Sequence, residues 1–258
     1  MTYQTITYET SGDVAILTLN RPDVMNALTS ILRHELLHAI THASTDARAI
    51  VITGAGRAFC SGQDLADATS LGHADFERLL RDEYEPLLHA IYDCKVPTIA
   101  AVNGAAAGAG ANLALACDVV IAAHSASFIQ SFTRIGLIPD AGGTYWLPRQ
   151  IGQPRAMGAA LFADKITATQ AADWGMIYES VPDADFNAHW QARAAHLAQG
   201  PTTAYRHLKA ALRASPDNDL ATQLALEARL QAECGKTADF AEGVAAFLAK
   251  RSAKFSGS

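Results

Sequence analysis

Up to about Pro182 the chain switches repeatedly between a two-residue and a helical hydrophobic period, and beyond it only the helical period persists. Residues 4–10 and 14–19 are short β-rich runs on either side of Ser11-Gly12-Asp13, the pattern of a hairpin. Asn20-Arg21-Pro22-Asp23 interrupts the pattern, and residues 27–43 continue at helical period. Residues 50–52, 98–102 and 119–122 read as core strands, separated by an amphipathic helix over 75–93 and a small-residue helix over 105–116. Strand–turn–helix units repeated in this way build α/β layers with parallel strands. Residues 185–199, 202–214, 220–234 and 238–249 read as helices, broken at Pro201 and at Ser215-Pro216. The expectation is an α/β core over residues 1–182, a helical region over 183–258 and a loose tail at Ser256-Gly257-Ser258.

Composition narrows the partners. Half of the 258 residues are hydrophobic and 18% are charged, enough for a sizeable core and too apolar for extensive disorder. A net charge of −6 argues against a broad grip on nucleic acid. Cys60, Cys94, Cys117 and Cys234 form no CxxC pair and read as reduced, mostly buried thiols. The first ten residues lack a basic stretch followed by an apolar run, and no apolar stretch approaches the roughly 20 residues of a membrane span. The chain is expected to be cytoplasmic, with neither nucleic acid nor membrane as partner.

Two short motifs invite a misreading. His34-Glu35-Leu36-Leu37-His38 matches H-E-x-x-H, in which two histidines hold zinc and the glutamate is a base. A third ligand is needed, and Thr41 and Ser44 stand where the extended motif has Gly and His. Leu28, Leu32, Leu36, Ala39 and Ile40 form the apolar stripe of this helix, so the histidines read as part of a solvated flank and no metal is expected. Gly104-Ala105-Ala106-Ala107-Gly108-Ala109-Gly110 follows a strand and opens a helix, as a phosphate loop does. Leu113 occupies the third glycine position of a dinucleotide fingerprint, and the Lys-Ser/Thr of a P-loop is absent. Close packing through small side chains is one account of the segment, and main-chain N–H groups aimed at a developing oxyanion are another.

A second small-residue turn, Arg57-Ala58-Phe59-Cys60-Ser61-Gly62-Gln63-Asp64-Leu65, follows the strand at 50–53. Together with Asn103-Gly104 and the glycines after it, this turn resembles the paired signatures of the crotonase (enoyl-CoA hydratase/isomerase) superfamily. Asn20-Arg21-Pro22, Asn26-Ala27-Leu28, Ala116-Cys117-Asp118 and the run Gly136-Leu137-Ile138-Pro139-Asp140-Ala141-Gly142-Gly143-Thr144 match in the same order. So do Ala171-Ala172-Asp173-Trp174-Gly175 and Phe247-Leu248-Ala249-Lys250-Arg251. The resemblance implies a ββα spiral core, a helical C-terminal trimerisation region, and self-association to a trimer or a dimer of trimers. It implies an acyl-CoA substrate and no separate cofactor, because CoA is part of the substrate. By motif position the oxyanion hole falls on the main-chain N–H groups of Gln63 and Ala109. Ala27, Ser61, Asp64, Leu65, Phe132 and Lys250 fall at substrate or CoA contacts, with adenine near the backbone of Ser61 and Gln63.

Hydratases of the superfamily place two glutamates around a water, at the positions held here by Asn112 and Phe132, and neither of these ionises. Asp140 stands where several isomerases and a dehalogenase carry their working aspartate. The plain alternative for Asp140 is a helix N-cap. A carboxylate facing an apolar pocket has a raised pKa, which suits a proton shuttle. Residues 131–140 resemble most the ring-1,2-epoxyphenylacetyl-CoA isomerase branch. The implied reaction is ring-epoxide to oxepin-CoA and/or 3-enoyl- to 2-enoyl-CoA isomerisation. Hydration, dehalogenation (Phe132 replaces its tryptophan) and a non-catalytic CoA-binding role are the alternatives, and Glu85 is the second carboxylate to examine.

Overall fold

The computed structural model describes residues 2–70 and 75–258. Its strands are β1 (Ile6–Ser11), β2 (Val14–Leu19), β3 (Ala49–Gly54), β4 (Ala58–Cys60), β5 (Thr98–Val102), β6 (Ala105–Ala107), β7 (Val119–Ala123), β8 (Ser127–Ile129), β9 (Ile166–Thr167) and β10 (Glu179–Val181). β1 and β2 form the expected antiparallel hairpin, with Ser11 opposite Val14 and Gly12 turning the chain at φ 58°. The main sheet runs β1-β2-β3-β5-β7-β10 and is parallel from β2 onward. β3 and β5 supply almost continuous buried apolar side chains, as parallel strands covered on both faces require.

A second sheet, β4-β6-β8-β9, was not visible as strands in the sequence. β4, β6 and β8 each begin a few residues after β3, β5 and β7 end, so each main strand turns a corner into the smaller sheet. The corners need glycine because backbones meet there: a Cβ on Gly54 would run into the Ala58 carbonyl oxygen, and one on Gly104 into that of Arg57. The expected helix over 105–116 is therefore β6 followed by a shorter helix.

The helices are α1 (Ser30–Asp46), α2 (Leu65–Ser70), α3 (Phe76–Leu79), α4 (Glu85–Tyr92), α5 (Ala109–Leu115), α6 (Gly143–Phe162), α7 (Ala168–Asp173), α8 (Phe186–Ala198), α9 (Thr202–Ala214), α10 (Leu220–Cys234) and α11 (Ala238–Leu248). α1 starts later than its period suggests, because Met25 and Asn26 are both left-handed (φ 53° and 56°) and Thr29 caps the helix through Leu32 N–H. α1 packs on β1, β2 and β3, and α8 on β2, β3 and β7. After β10 only helices follow. The C-terminal tail is not loose: buried Asp239 accepts from the N–H groups of Ser256 (2.7 Å) and Gly257 (2.9 Å), and Arg48 donates to the Phe255 carbonyl (3.1 Å). Among the described residues no helix is long and apolar enough to cross a membrane.

Candidate active site

Two of the corners return to one place. After β4, Gly62 (φ 92°) turns the chain so that Gln63 bridges Leu28 in parallel. Leu28 N–H donates to the Gly62 carbonyl (2.8 Å) and Asp64 N–H to the Leu28 carbonyl (3.0 Å), which leaves the Gln63 N–H facing away from the bridge. After β6, Gly108 (φ 52°) caps α5 with no side-chain hydrogen bond. The turns touch: a Cβ on Gly62 would sit 2.8 Å from the Ala107 oxygen and 3.4 Å from the Ala109 nitrogen. Neither the Gln63 nor the Ala109 main-chain N–H donates a hydrogen bond within the described residues. Two such donors on adjoining turns suit a carbonyl oxygen that gains negative charge.

The Gln63 side chain is tied down by groups that the sequence reading left unmarked. Its Oε1 accepts from Tyr84 Oη (2.6 Å) and Arg33 Nη1 (2.7 Å), and its Nε2 donates to the Asp64 carbonyl (3.0 Å). Arg33, 1% exposed, also donates to the Leu28 carbonyl (2.9 Å) and pairs with Glu83 (2.7 Å). One guanidinium thus holds both partners of the Leu28–Gln63 bridge. Glu83 and Tyr84 lie in a π turn, Leu80–Tyr84, that interrupts the single helix expected over 75–93. Such turns often mark functional sites. The available signal was Arg33 itself, a charge at helical spacing with Leu36 and Ile40 on an apolar face.

Asp140 approaches from the other side, on the turn before α6. Its main-chain oxygen accepts from Asn112 Nδ2 (2.7 Å) and Gly143 N–H (2.8 Å), and Asn112 Oδ1 accepts from Gln130 Nε2 (2.8 Å). Asn112 is wholly buried, with both ends of its carboxamide committed to this turn. Ala141 is left-handed (φ 48°), a conformation that costs a non-glycine residue energy. Gly142 caps α6 with no side-chain hydrogen bond, so the Asp140 carboxylate is not the helix cap its context suggested. Its Oδ1 is buried and has no hydrogen-bond partner. Burial pushes the carboxyl up from 3.8 to about 6, because a low-dielectric setting disfavours the ion.

Asp140 lines a cavity of about 670 Å³ with Tyr84, Leu88, Tyr92, Ile138 and Trp146. Tyr84 therefore connects the Gln63 turn to the wall that carries Asp140. Glu85, exposed at the start of α4, borders the same cavity. Phe132 is buried, its ring 3.7 Å from where a Cβ on Gly108 would stand. Around the Gln63 turn, Ser61 N–H donates to the Met25 carbonyl (3.0 Å), buried Ala27 gives its carbonyl to Arg21, and Arg21 pairs with Asp64 (2.9 Å). Burial pushes the Asp64 carboxyl up, but hydrogen bonds led by Arg21 outweigh it and hold it below its ordinary range. Leu65 is exposed, and so is Lys250, left-handed (φ 51°) after α11, whose ammonium makes no ion pair among the described residues.

The H-E-x-x-H segment has a different occupation. His34 and His38 are exposed, but Glu35 is buried rather than solvated. Its carboxylate accepts from the N–H groups of Gln4 and Thr5 (both 2.8 Å) and from the Thr5 hydroxyl (2.7 Å), pinning the start of β1 to α1. Among the described residues no three His, Cys, Asp or Glu side chains gather as a metal site.

Known proteins match this arrangement over nearly its whole length. The family model described as enoyl-CoA hydratase/isomerase matches residues 9–258. A Rhodobacter capsulatus protein named "Probable enoyl-CoA hydratase" is 63% identical, covering 100% of each chain. The 1,2-epoxyphenylacetyl-CoA isomerase of Escherichia coli is 45% identical over 95% of each. The crystal structure of enoyl-CoA hydratase from Bacillus anthracis superposes with a TM-score of 0.91 at 32% identity, covering 99% of this chain and 100% of that one. The fold is thus the crotonase-like α/β fold with its C-terminal helices. The ring-epoxide branch read from residues 131–140 is corrected, because a protein with a hydratase name is 63% identical and the epoxide isomerase 45%. A ten-residue stretch covers a small part of the chain, whereas these identities are taken over 257 and 249 residues.

Proposed function

This chain belongs to the enoyl-CoA hydratase/isomerase family, whose chemistry is on CoA thioesters, and we propose that it moves the double bond of an enoyl-CoA with Asp140 as its proton shuttle. The observation that carries this reading is the Asp140 carboxyl on the wall of an apolar cavity, with its Oδ1 buried and without a hydrogen-bond partner and its pKa raised to about 6 by burial. The thioester oxygen accepts from the Gln63 and Ala109 N–H groups. Asp140 takes a proton from the carbon next to the thioester of a 3-enoyl-CoA, and the C–H electron pair passes into a dienolate whose oxygen those donors stabilise. The carboxylic acid returns the proton two carbons further along, giving the 2-enoyl-CoA. One acid/base suffices, which agrees with Asn112 being committed to the turn and Phe132 to packing. Ala27, Ser61, Asp64, Leu65 and Lys250 are proposed to border the CoA moiety.

Hydration is the second reading. It is favoured by the name of the Rhodobacter capsulatus relative and by Glu85, a second carboxylate on the cavity that carries Asp140. Incubation with 3-enoyl- and 2-enoyl-CoA, followed by chromatography and mass spectrometry, separates the two. Isomerisation leaves the mass unchanged, whereas hydration adds one water. Water addition to 2-enoyl-CoA with no interconversion of double-bond isomers would overturn the first reading.

Self-association to a trimer or dimer of trimers is proposed through the C-terminal helices, which expose Leu208, Leu212, Leu224, Phe240, Phe247 and Leu248. An apolar face of this extent is expected to be covered. Light scattering at micromolar concentration checks it, and a monomer mass contradicts it.

A further inference from the structure

The cavity that carries Asp140 ends against three aromatic side chains, and a second cavity of about 470 Å³ begins on their other side: Tyr92, Tyr145 and Trp146 line both. The rings pack edge to face, Tyr145 to Trp146 with centroids 4.7 Å apart and Tyr92 to Tyr145 at 6.3 Å, and Tyr92 to Trp146 lie tilted at 5.2 Å. Each tyrosine is also clamped by a guanidinium. Arg213 lies 3.8 Å from the Tyr92 ring centroid and Arg149 lies 3.7 Å from that of Tyr145. Arg213 is itself anchored by Asp118 (2.6 Å), which also pairs with Lys209 (2.7 Å) and accepts from Thr98 N–H (2.8 Å). The anchoring chain runs from β5 through α9 to the rings. The Arg213 contact, anchored by the Asp118 ion pair, holds the Tyr92 ring in place, and the exposed Arg149 covers Tyr145.

The far cavity has the size of a ligand pocket and is walled in part by Leu115, Leu197, Leu208 and Leu212. An acyl chain that enters beside Asp140 meets the aromatic wall before it reaches this space. We propose that Tyr92, backed by Tyr145 and Trp146, sets the acyl-chain limit of this site: short or compact acyl groups fit in front of the wall, and long linear chains are refused although a second apolar cavity lies behind it. This inference rests on the proposal that the Asp140 cavity receives the acyl group, but not on which reaction takes place there.

The test compares the wild type with Tyr92→Ala and with Tyr92→Leu, the latter retaining apolar contact while removing the outer edge of the ring. Saturated butyryl-, hexanoyl-, decanoyl- and palmitoyl-CoA are titrated by calorimetry, which needs no turnover. The wild type should bind the short thioesters more tightly than the long ones. In both variants the ratio of decanoyl- to butyryl-CoA affinity should rise about tenfold or more, the scale on which an apolar pocket senses even one methylene. The butyryl-CoA affinity of each variant serves as the reference for its own ratio. An unchanged ratio in folded variants, confirmed by thermal melts, overturns the proposal, as does a wild type that binds palmitoyl-CoA as tightly as butyryl-CoA. Binding of no acyl-CoA by the wild type would instead overturn the assignment of the cavity. A changed ratio combined with hydration rather than isomerisation of enoyl-CoA would leave the wall intact and remove only the isomerase reading.

Discussion

The two sides of the candidate site are held by opposite means. On the donor side almost every polar group around Gln63 is satisfied: its carboxamide has three partners, and Arg33, buried to 1%, joins Leu28, Gln63 and Glu83. On the acid/base side the Asn112 carboxamide is tied at both ends, but Gln130 Oε1 and one Asp140 carboxylate oxygen are buried with no partner. The difference follows from the tasks. Donors that stabilise a developing charge act best when they do not reorganise. A group that must both take and return a proton needs a pKa near working pH, and hydrogen bonds to its anion would lower it.

Asp140 carries the largest expected effect. Asp140→Asn should lower turnover by about 10²-fold or more, the scale of general acid–base catalysis, with acyl-CoA binding largely kept. A folded variant with near wild-type turnover would move the proton shuttle elsewhere, first to Glu85. The same substitution should raise stability above pH 6. The folded carboxyl titrates at about 6 and the unfolded one near 3.8, so its contribution is fully present below the unfolded value and is lost as pH rises through the folded one. The variant should gain up to about 3 kcal/mol at neutral pH, with the gain vanishing below about pH 4. Thermal melts across that range check the sign.

Titration of the wild type sharpens the contrast. kcat/KM should rise with pH and level off above about 6, because the base must be ionised in the free enzyme. A flat profile between pH 5 and pH 8 would contradict the assignment of the base. On the donor side, Arg33→Met should cost about 3–5 kcal/mol of stability, since Glu83 loses its buried partner. It should also lower kcat by about tenfold with little change in KM, as expected when an oxyanion donor is displaced rather than removed. A loss of stability at unchanged kcat would make Arg33 a purely structural residue. Asn112→Ala should be mildest in rate, within about tenfold. Its cost should appear as about 1–3 kcal/mol of stability, because the Asp140 carbonyl and the Gln130 amide each lose a partner.

Some of this was plain in the chain itself. The alternation of periods determined an α/β core, and the C-terminal helices 202–214 and 220–234 have the boundaries their sequence suggests. Small residues at Gly62 and Gly108 marked the two turns: both have positive φ, which suits glycine, and at Gly62 the Ala107 carbonyl also approaches closely. Asp140 was singled out by residue type at a motif position.

The tertiary structure decided what depends on residues far apart in the chain. The three-residue strands β4, β6 and β8 are too short to show a period, and they exist only because neighbouring corners pair with one another. Arg33, Glu83 and Gln63 lie 20 to 50 positions apart, and nothing local says that a charge on an apolar helix face has a partner waiting. The same holds for Asp140: its residue type was legible, but whether it is a cap, a solvated carboxylate or a base with a raised pKa is set by which oxygens remain unpaired once Asn112 and Gly143 have taken its main chain. Period and glycine placement are local energies written into the sequence. Burial and hydrogen-bond satisfaction are sums over neighbours that only the folded chain brings together.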